Sequence, residues 1–366
     1  MAMGAKLIAT VEPLRTLGGV RTWIAKVVTA LRLEGFSVVR HVLDDSLLPG
    51  SRFFSMHISD LLRHIRLRGH GVLLYFGSLP YLGYLLDRLK GVPVMVFVSG
   101  HPVYEFPKAV TNAGTIHERV GASLVWRYAR HAYSLDMADT WICHTLTACE
   151  EIGVADRGNY VLLKQFVLPH EVSFYDRVYH WLKEERGEKR EVQIFAYLSY
   201  ADLPGLKLWS LLRIFNRVRR RVKRRVTFVV EDPRIKRTTK LGDAIQITGR
   251  MPLPDFLRIL GTSELYIETS IDEELRLTAL DAMLLRVPVA KILYPRFYGR
   301  QDYTEDEILI GTSVDKLVEL IAEYLNNFDN YHGHFSQAVY EFVKRKRLWD
   351  VVKVDFVQTL NKTCFK

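Results

Sequence analysis

The sequence predicts an α/β fold made of two parallel-sheet domains, and three observations carry that expectation. Short apolar runs alternate with amphipathic stretches from residue 6 to about residue 169, and the same alternation restarts at residue 192. Between them HEVSFYDRVYHWLKEERGEKR, residues 170–190, is charged enough to mark a boundary. At 366 residues the chain exceeds one ordinary core and suits two domains of usual size. Strands separated by helices give parallel sheets covered on both faces. The expected division is 1–180, 181–342 and a helical end at 343–366.

In the first half KLIATV (6–11) is a short buried strand, and EPLRTLGG is a polar turn ending in Gly18 and Gly19. A helix follows, with Val20, Ile24, Val27 and Leu31 on one face and Gly35 as its C-cap. Paired glycines at a helix start let backbone N–H groups approach a phosphate, and they equally make a tight turn. FSVVRHV closes a β-loop-α-β unit. HGVLLYFG is the next strand, LPYLGYLLDRLKG a helix, and VPVMVFVSG a strand running into the loop Gly100-His101-Pro102. A helical stretch from about 117 to 137, the strand ADTWICHT, the short helix TACEEIGV and the strand NYVLLKQFVLP complete this half.

The second half runs VQIFAYL, a helix over 204–221, VTFVVEDP, AIQITGRM and the helix DFLRILG. Then come a strand at Leu265 to Ile267, a polar turn, a helix, a strand at Val287 to Ile292, and the helix SVDKLVELIAEYL from 313. The last forty or so residues are helical, anchored by Tyr340, Phe342, Trp349, Val352, Phe356 and Leu360.

A hydrophobic content of 48% with 25% charged residues is globular. No apolar run approaches the ~18 residues that a membrane span needs, and MAMGAKLIATVEP lacks the apolar core of a signal peptide. Cys143, Cys149 and Cys364 make neither a disulfide framework nor a zinc spacing, which fits a reducing cytoplasm. His332-Gly333-His334 has no third ligand in sequence, so it is expected in a surface loop and no metal is expected. Few Asn and Gln beside abundant Arg and Glu point to a heat-adapted source. The net charge of +10 is uneven, with RIFNRVRRRVKRRV at 213–226 the densest run. A solvated helix end explains it; an anionic membrane or a nucleic acid are the functional alternatives. No finger spacing or aromatic sheet motif accompanies it, so nucleic acid is not the expected partner. The basic, aromatic stretch LVWRYARHAY (124–133) suits peripheral contact with anionic headgroups.

ELYIETSIDEELRLTALDAMLLRVPVAKIL (264–293) organises the second half. Glu273 and Asp281 lie eight residues apart, about 12 Å along a helix axis. That span lets one carboxylate reach a sugar ring and the other a ribose, with a diphosphate between them at the helix N-terminus. The plainer reading takes Ser270 or Asp272 as an N-cap, Glu273 and Glu274 as first-turn acids, and Asp281 as a solvated helix residue.

The chain resembles the retaining GT-B glycosyltransferases of the mannosyltransferase and glycogen-synthase type. GGVRTWIAKVVTALRLEGFSVV resembles that family's glycine loop and first helix. ITGRMPLPDFLRILGTSELYIETSIDEELRLTALDAMLLRVPVA follows its Thr-Gly-Arg turn, short helix, strand, Glu-x7-Glu segment and Val-Pro-Val strand in order. KRLWDVVKVDF resembles its closing helices. The resemblance implies two Rossmann-like domains facing across a cleft, with C-terminal helices crossing back to the first. It implies transfer of a sugar, with retention, from a nucleotide-diphosphate donor to an acceptor hydroxyl, with no metal, protein nucleophile or further cofactor. A UDP- or GDP-linked donor is expected ahead of an ADP-linked one, and the acceptor is a glycan, a lipid-linked sugar or a protein.

The resemblance places Gly18 and Gly19 at the diphosphate, Glu273 at the donor sugar, Asp281 at the ribose, Arg250 near base or phosphate, and His101 at the reacting centre. The family's two diphosphate-binding cations fall here on Tyr197 and about Asp202, and its glycine before Val-Pro-Val is Arg286. Arg276 is the first choice to replace the cations, with Lys207 and Arg15 after it. Three other functions stay open: a nucleotide-sugar binder without transfer activity, a basic nucleic-acid-binding protein, and a sugar-nucleotide epimerase.

Overall fold

The computed structural model describes residues 7–13, 19–43, 59–60, 63, 71–76, 92–98, 138–151, 153–186, 191–198, 206–270 and 272–364. The chain forms two compact units, Met1–Lys164 with Val352–Lys366, and Gln165–Val351. The division falls at 164/165 and not at residue 180, because HEVSFYDRVYHWLKEER is not a boundary segment but most of a helix, Pro169–Arg186, that packs within the second unit.

In the first unit β1 (Leu7–Pro13), β2 (Ser37–Leu43), β3 (Val72–Tyr75), β4 (Val94–Val98), β5 (Thr140–Cys143) and β6 (Tyr160–Leu162) make a parallel sheet ordered β2-β1-β3-β4-β5-β6. Strands β3, β4 and β5 are buried throughout, so they are continuous apolar runs without alternation. Helix α1 (Gly19–Leu33) buries Trp23, Ile24, Val27, Val28, Ala30 and Leu31 and ends at Gly35, whose φ of 82° suits glycine. Gly18, Arg15, His101 and the 124–133 stretch lie outside the described residues.

Cys143 and Cys149 form a disulfide, against the expectation of free thiols. Strand β5 ends at Cys143, the chain turns, and helix α2 (Leu146–Glu151) returns Cys149 to a Cα separation of 5.9 Å. The cysteine pattern therefore no longer argues for a reducing compartment.

In the second unit β7 (Glu191–Tyr197), β8 (Arg225–Glu231), β9 (Thr239–Leu241), β10 (Ile245–Thr248), β11 (Leu265–Glu268), β12 (Val289–Ile292) and β13 (Leu309–Gly311) form a sheet ordered β13-β12-β11-β7-β8-β10-β9. Only β9 is antiparallel, and it is an exposed edge carrying Lys240. The sequence reading missed β9 and β13, each three residues long. The helices here are α3 (Pro169–Arg186), α4 (Leu208–Arg219), α5 (Leu253–Gly261), α6 (Leu277–Leu284), α7 (Val314–Asn326) and α8 (Phe328–Lys346). Helix α4 buries Leu211, Ile214, Phe215 and Val218, a helical repeat, and Phe215 stacks on Phe228 at 4.9 Å. His332 lies inside α8, not in a loop, and its Nδ1 is 2.8 Å from the Tyr324 hydroxyl.

Helix α9 (Trp349–Cys364) is divided between the units. Its start belongs to the second, where Trp349 donates its backbone N–H to Val167 at 2.9 Å and meets Phe166 at 4.7 Å. From Val352 it belongs to the first, where Phe356 approaches Phe97 and Lys353 pairs with Glu34 at 2.8 Å.

Arg286 ends α6 with a φ of 56°, the one described non-glycine residue with positive φ. A left-handed residue with a Cβ costs roughly 1–2 kcal/mol. The compensation is visible: the guanidinium lies 4.0 Å from the Tyr179 ring centre and 4.2 Å from that of Tyr340, and pairs with Asp176 at 3.2 Å. Arg286→Ala keeps the strain and loses these contacts, whereas Arg286→Gly loses only the contacts. Urea unfolding is expected to find Arg286→Ala less stable than wild type by about 2 kcal/mol and Arg286→Gly about 1 kcal/mol better than Arg286→Ala.

Candidate functional site

In the second unit the chain adds β8 to one side of β7 and later returns to its other side with β11. Such a reversal opens a crevice at the carboxyl ends of the two strands, where open α/β sheets bind ligands. The Thr269 hydroxyl donates to the Tyr197 carbonyl at 2.9 Å, and the Leu206 N–H donates to the Thr269 carbonyl at 2.8 Å. The ends of β7 and β11 and the entry to α4 are thus tied at one place.

The turn after β11 is folded by its own polar groups. Glu268 Oε1 accepts the Ser270 N–H at 2.8 Å, and Asp272 Oδ1 accepts the Glu274 N–H at 3.2 Å. The Glu274 carbonyl receives the Lys291 ammonium at 2.7 Å and the Ser270 hydroxyl at 3.2 Å. These bonds hold Glu274 outside the helix, which starts at Leu277; its first bond runs from the Leu280 N–H to the Arg276 carbonyl at 3.1 Å. Glu273 therefore precedes the helix, and the residue at the N-cap is Arg276, not Ser270 or Asp272. Glu273 and Glu274 thus lie before the first turn in which the plainer reading placed them.

Four carboxylates, on Glu268, Asp272, Glu273 and Glu274, are buried here. Two cations without exposed surface face them: Lys291 from β12 and Arg347 from the end of α8. Lys291 also bonds the Ser270 hydroxyl at 2.5 Å and lies 3.9 Å from Asp272. Burial pushes its ammonium below the usual lysine range, against the pull of Asp272 and Glu268. Arg347 spans Asp302 at 2.8 Å and Glu274 at 3.4 Å, and Glu274 accepts the Gln165 N–H as well. Tyr303 sits beside the same acids, and burial with their negative charge raises its phenol far above the usual range.

Asp281 is half-buried one helical stretch on, and its Oδ1 accepts the Tyr175 hydroxyl at 2.6 Å. Sequence reasoning gave this aspartate no protein partner. Lys207 is exposed and stands immediately before α4, next to the Leu206 tie. Arg250 is exposed after β10. The preceding Gly249 is fixed by packing, because a Cβ there would meet the Ile235 carbonyl oxygen at 2.2 Å. Glu273, Arg276, Asp281, Lys207 and Arg250 thus all belong to the carboxyl-end side of the second unit, and Gly19 opens α1 in the first.

Sequence reasoning missed Glu231, Lys291 and Arg347. A lysine inside the apolar run VPVAKIL is the signal that marks Lys291. Glu231 ends β8 and is 3% exposed; its Oε1 accepts the Met251 N–H at 3.2 Å, and Oε2 has no hydrogen-bond partner among the described residues. Burial raises its carboxyl to about 7, although the Met251 N–H and the Arg250 charge oppose this.

The whole chain resembles solved glycosyltransferase structures. Anabaena Alr3699/HepE, crystallised with UDP and glucose, superimposes with a TM-score of 0.66 at 10% identity over 98% of this chain and 100% of that one. The sucrose-phosphate synthase of Thermosynechococcus elongatus gives 0.66 at 12% identity over 98% of each chain. WaaG, a glycosyltransferase of lipopolysaccharide biosynthesis, gives 0.62 at 10% identity over 95% of this chain and 97% of that one. The chain has the GT-B fold. No protein-family profile matches the sequence, and no curated protein matches it. Among the described residues no helix is long and apolar enough to cross a membrane, and no cluster of His, Cys, Asp and Glu is arranged to hold a metal.

Two measurements check this account of the site. Arg347→Met leaves Glu274 and Asp302 without their buried cation, and breaking such a pair costs about 3–5 kcal/mol. The melting temperature is expected to fall by roughly 10 °C; an unchanged value would remove the ion pair from the list of structural supports. Glu231 titrates at about 7 folded against the ordinary glutamate value of 4.5, so the native state binds the extra proton between those values. Its contribution to stability is highest below the lower value and falls as pH rises through the higher one. Glu231→Gln is expected to be flatter across that window and more stable than wild type above it, measured as melting temperature against pH.

Proposed function

We propose that this protein is a retaining glycosyltransferase that moves a sugar from a UDP- or GDP-linked donor to an acceptor hydroxyl. The observation that carries this is the acid-lined turn at the carboxyl end of β11, beside the β7/β11 reversal and the start of α4. Carboxylates accept hydrogen bonds and suit the hydroxyls of a sugar and a ribose. A helix start followed by buried apolar packing suits a diphosphate, whose charge the free N–H groups offset.

In this reading Glu273 binds hydroxyls of the donor sugar, and Asp281, oriented by Tyr175, binds the ribose diol. The anomeric carbon–oxygen bond to the diphosphate breaks, and the acceptor oxygen forms its bond on the same face. The acceptor proton passes to the departing phosphate oxygen, so no side chain serves as nucleophile. Charge developing on that phosphate needs cations. Arg276 is the first assigned to it, with Lys207 after it; Arg250 is assigned to the base or phosphate, and the Gly18 and Gly19 amides to the diphosphate. His101 is assigned to the reacting centre. The acceptor is a glycan, a lipid-linked sugar or a protein.

A second reading, a nucleotide-sugar binder without transfer activity, is favoured by Tyr197 standing where related enzymes carry a cation. A thermal-shift panel of UDP-, GDP- and ADP-sugars tests binding; ligand at ~100 times Kd adds about 2.7 kcal/mol. Stabilisation by a UDP- or GDP-sugar is expected, reduced in Asp281→Ala. Donor hydrolysis then separates the readings. Slow release of nucleoside diphosphate, lowered by about tenfold or more in Arg276→Ala and unchanged in Arg219→Ala, supports transfer. Binding without release would leave the binder, and no binding by any donor would overturn both.

A further inference from the structure

The outer face of α4 is unlike the rest of the described surface. Its inner face buries Leu211, Ile214, Phe215 and Val218. At about 100° per residue, Trp209, Arg213, Asn216 and Arg220 fall on the opposite side within about 60° of one another. Trp209 is 63% exposed, the most exposed of the large hydrophobic residues described. With Leu212 and Arg217 these residues line a shallow groove of about 590 Å³.

The charge around this stripe is one-sided. Residues 213–225 hold eight Arg or Lys and no acid. Arg217 pairs with Asp315, Arg224 with Asp329 and Arg225 with Glu191, so their charge is largely neutralised. Arg213, Arg219, Arg220, Arg221 and Lys223 are exposed and have no acidic partner among the described residues. The fold thus leaves Arg213 and Arg220 unneutralised beside the outward-facing Trp209, with Arg219, Arg221 and Lys223 following along the chain.

We propose that this face of α4 docks the protein on an anionic membrane surface. Arginines spread along an exposed, shallow helix face match a plane of lipid phosphates. A tryptophan among them matches the interfacial zone, where an indole places its ring among acyl carbons and its N–H among headgroups. A nucleic-acid site of equal charge would enter a groove or stack several aromatic rings against bases; this helix presents one aromatic residue.

The experiment is flotation of the full chain with vesicles of phosphatidylcholine alone and of phosphatidylcholine with phosphatidylglycerol. Binding is expected only to the anionic vesicles and is expected to weaken as salt shortens the screening length. Each arginine near the surface contributes about fivefold in partitioning, so Arg213→Gln with Arg220→Gln is expected to weaken binding by about 25-fold. Trp209→Ala is expected to weaken it several-fold. Lys236→Gln with Lys240→Gln removes the same charge from exposed positions elsewhere in the unit and is expected to change it less than twofold. Circular dichroism of each variant confirms that the fold is intact. Equal recovery from both vesicle types, or an equal loss in the Lys236/Lys240 pair, would overturn the proposal. Retention on duplex DNA that depends on Arg213 and Arg220, without flotation, would also overturn it and assign the patch to nucleic acid.

Discussion

Glu274 is held at both ends, and the candidate site depends on that. Its carbonyl is taken by the buried Lys291 ammonium and its carboxylate by the buried Arg347 guanidinium. A carbonyl occupied by a lysine is diverted from helical hydrogen bonding, so α6 starts at Leu277 and the turn carrying Glu273 keeps an irregular shape. Buried charges this close are costly unless they are paired, and the pairing is directional, so the turn has few alternative conformations. A hydrophobic core beneath the same turn would supply stability without fixing where Glu273 stands. The two cations come from β12 and from the end of α8, which makes the site a product of the whole unit rather than of the loop alone.

The long-range architecture was largely legible in the sequence. The parallel strands are apolar runs because both faces are covered, and α4 shows its repeat at Leu211, Ile214, Phe215 and Val218. Two short strands were not legible: β9 is wholly exposed and β13 too short for any period. Helix α3 passed for a domain boundary because it buries few positions, Tyr175 and Leu182 among them, on an otherwise polar cylinder. The disulfide was hidden because a spacing of six residues says nothing about a strand-to-helix turn.

At the site, residue types were legible and their partners were not. Glu273 and Asp281 stand out by spacing, but nothing local announces that Asp281 meets Tyr175, 106 residues away, or that Glu274 meets Arg347, 73 away. Arg286 shows the same limit from the other side. The family resemblance marks a glycine position filled by arginine, and only the packing shows that Tyr179, Tyr340 and Asp176 hold the guanidinium in place.

The division of α9 bears on synthesis. The first unit is built from both ends of the chain, since Val352–Lys366 belongs with Met1–Lys164. Chains emerge from the ribosome N-terminus first, so the second unit is complete before the first has received its last helix. Until then Phe97 lacks Phe356, and Glu34 lacks Lys353. The unit entered first along the chain is therefore the one that finishes folding last, and a fragment ending at Lys164 would lack a piece of its own core.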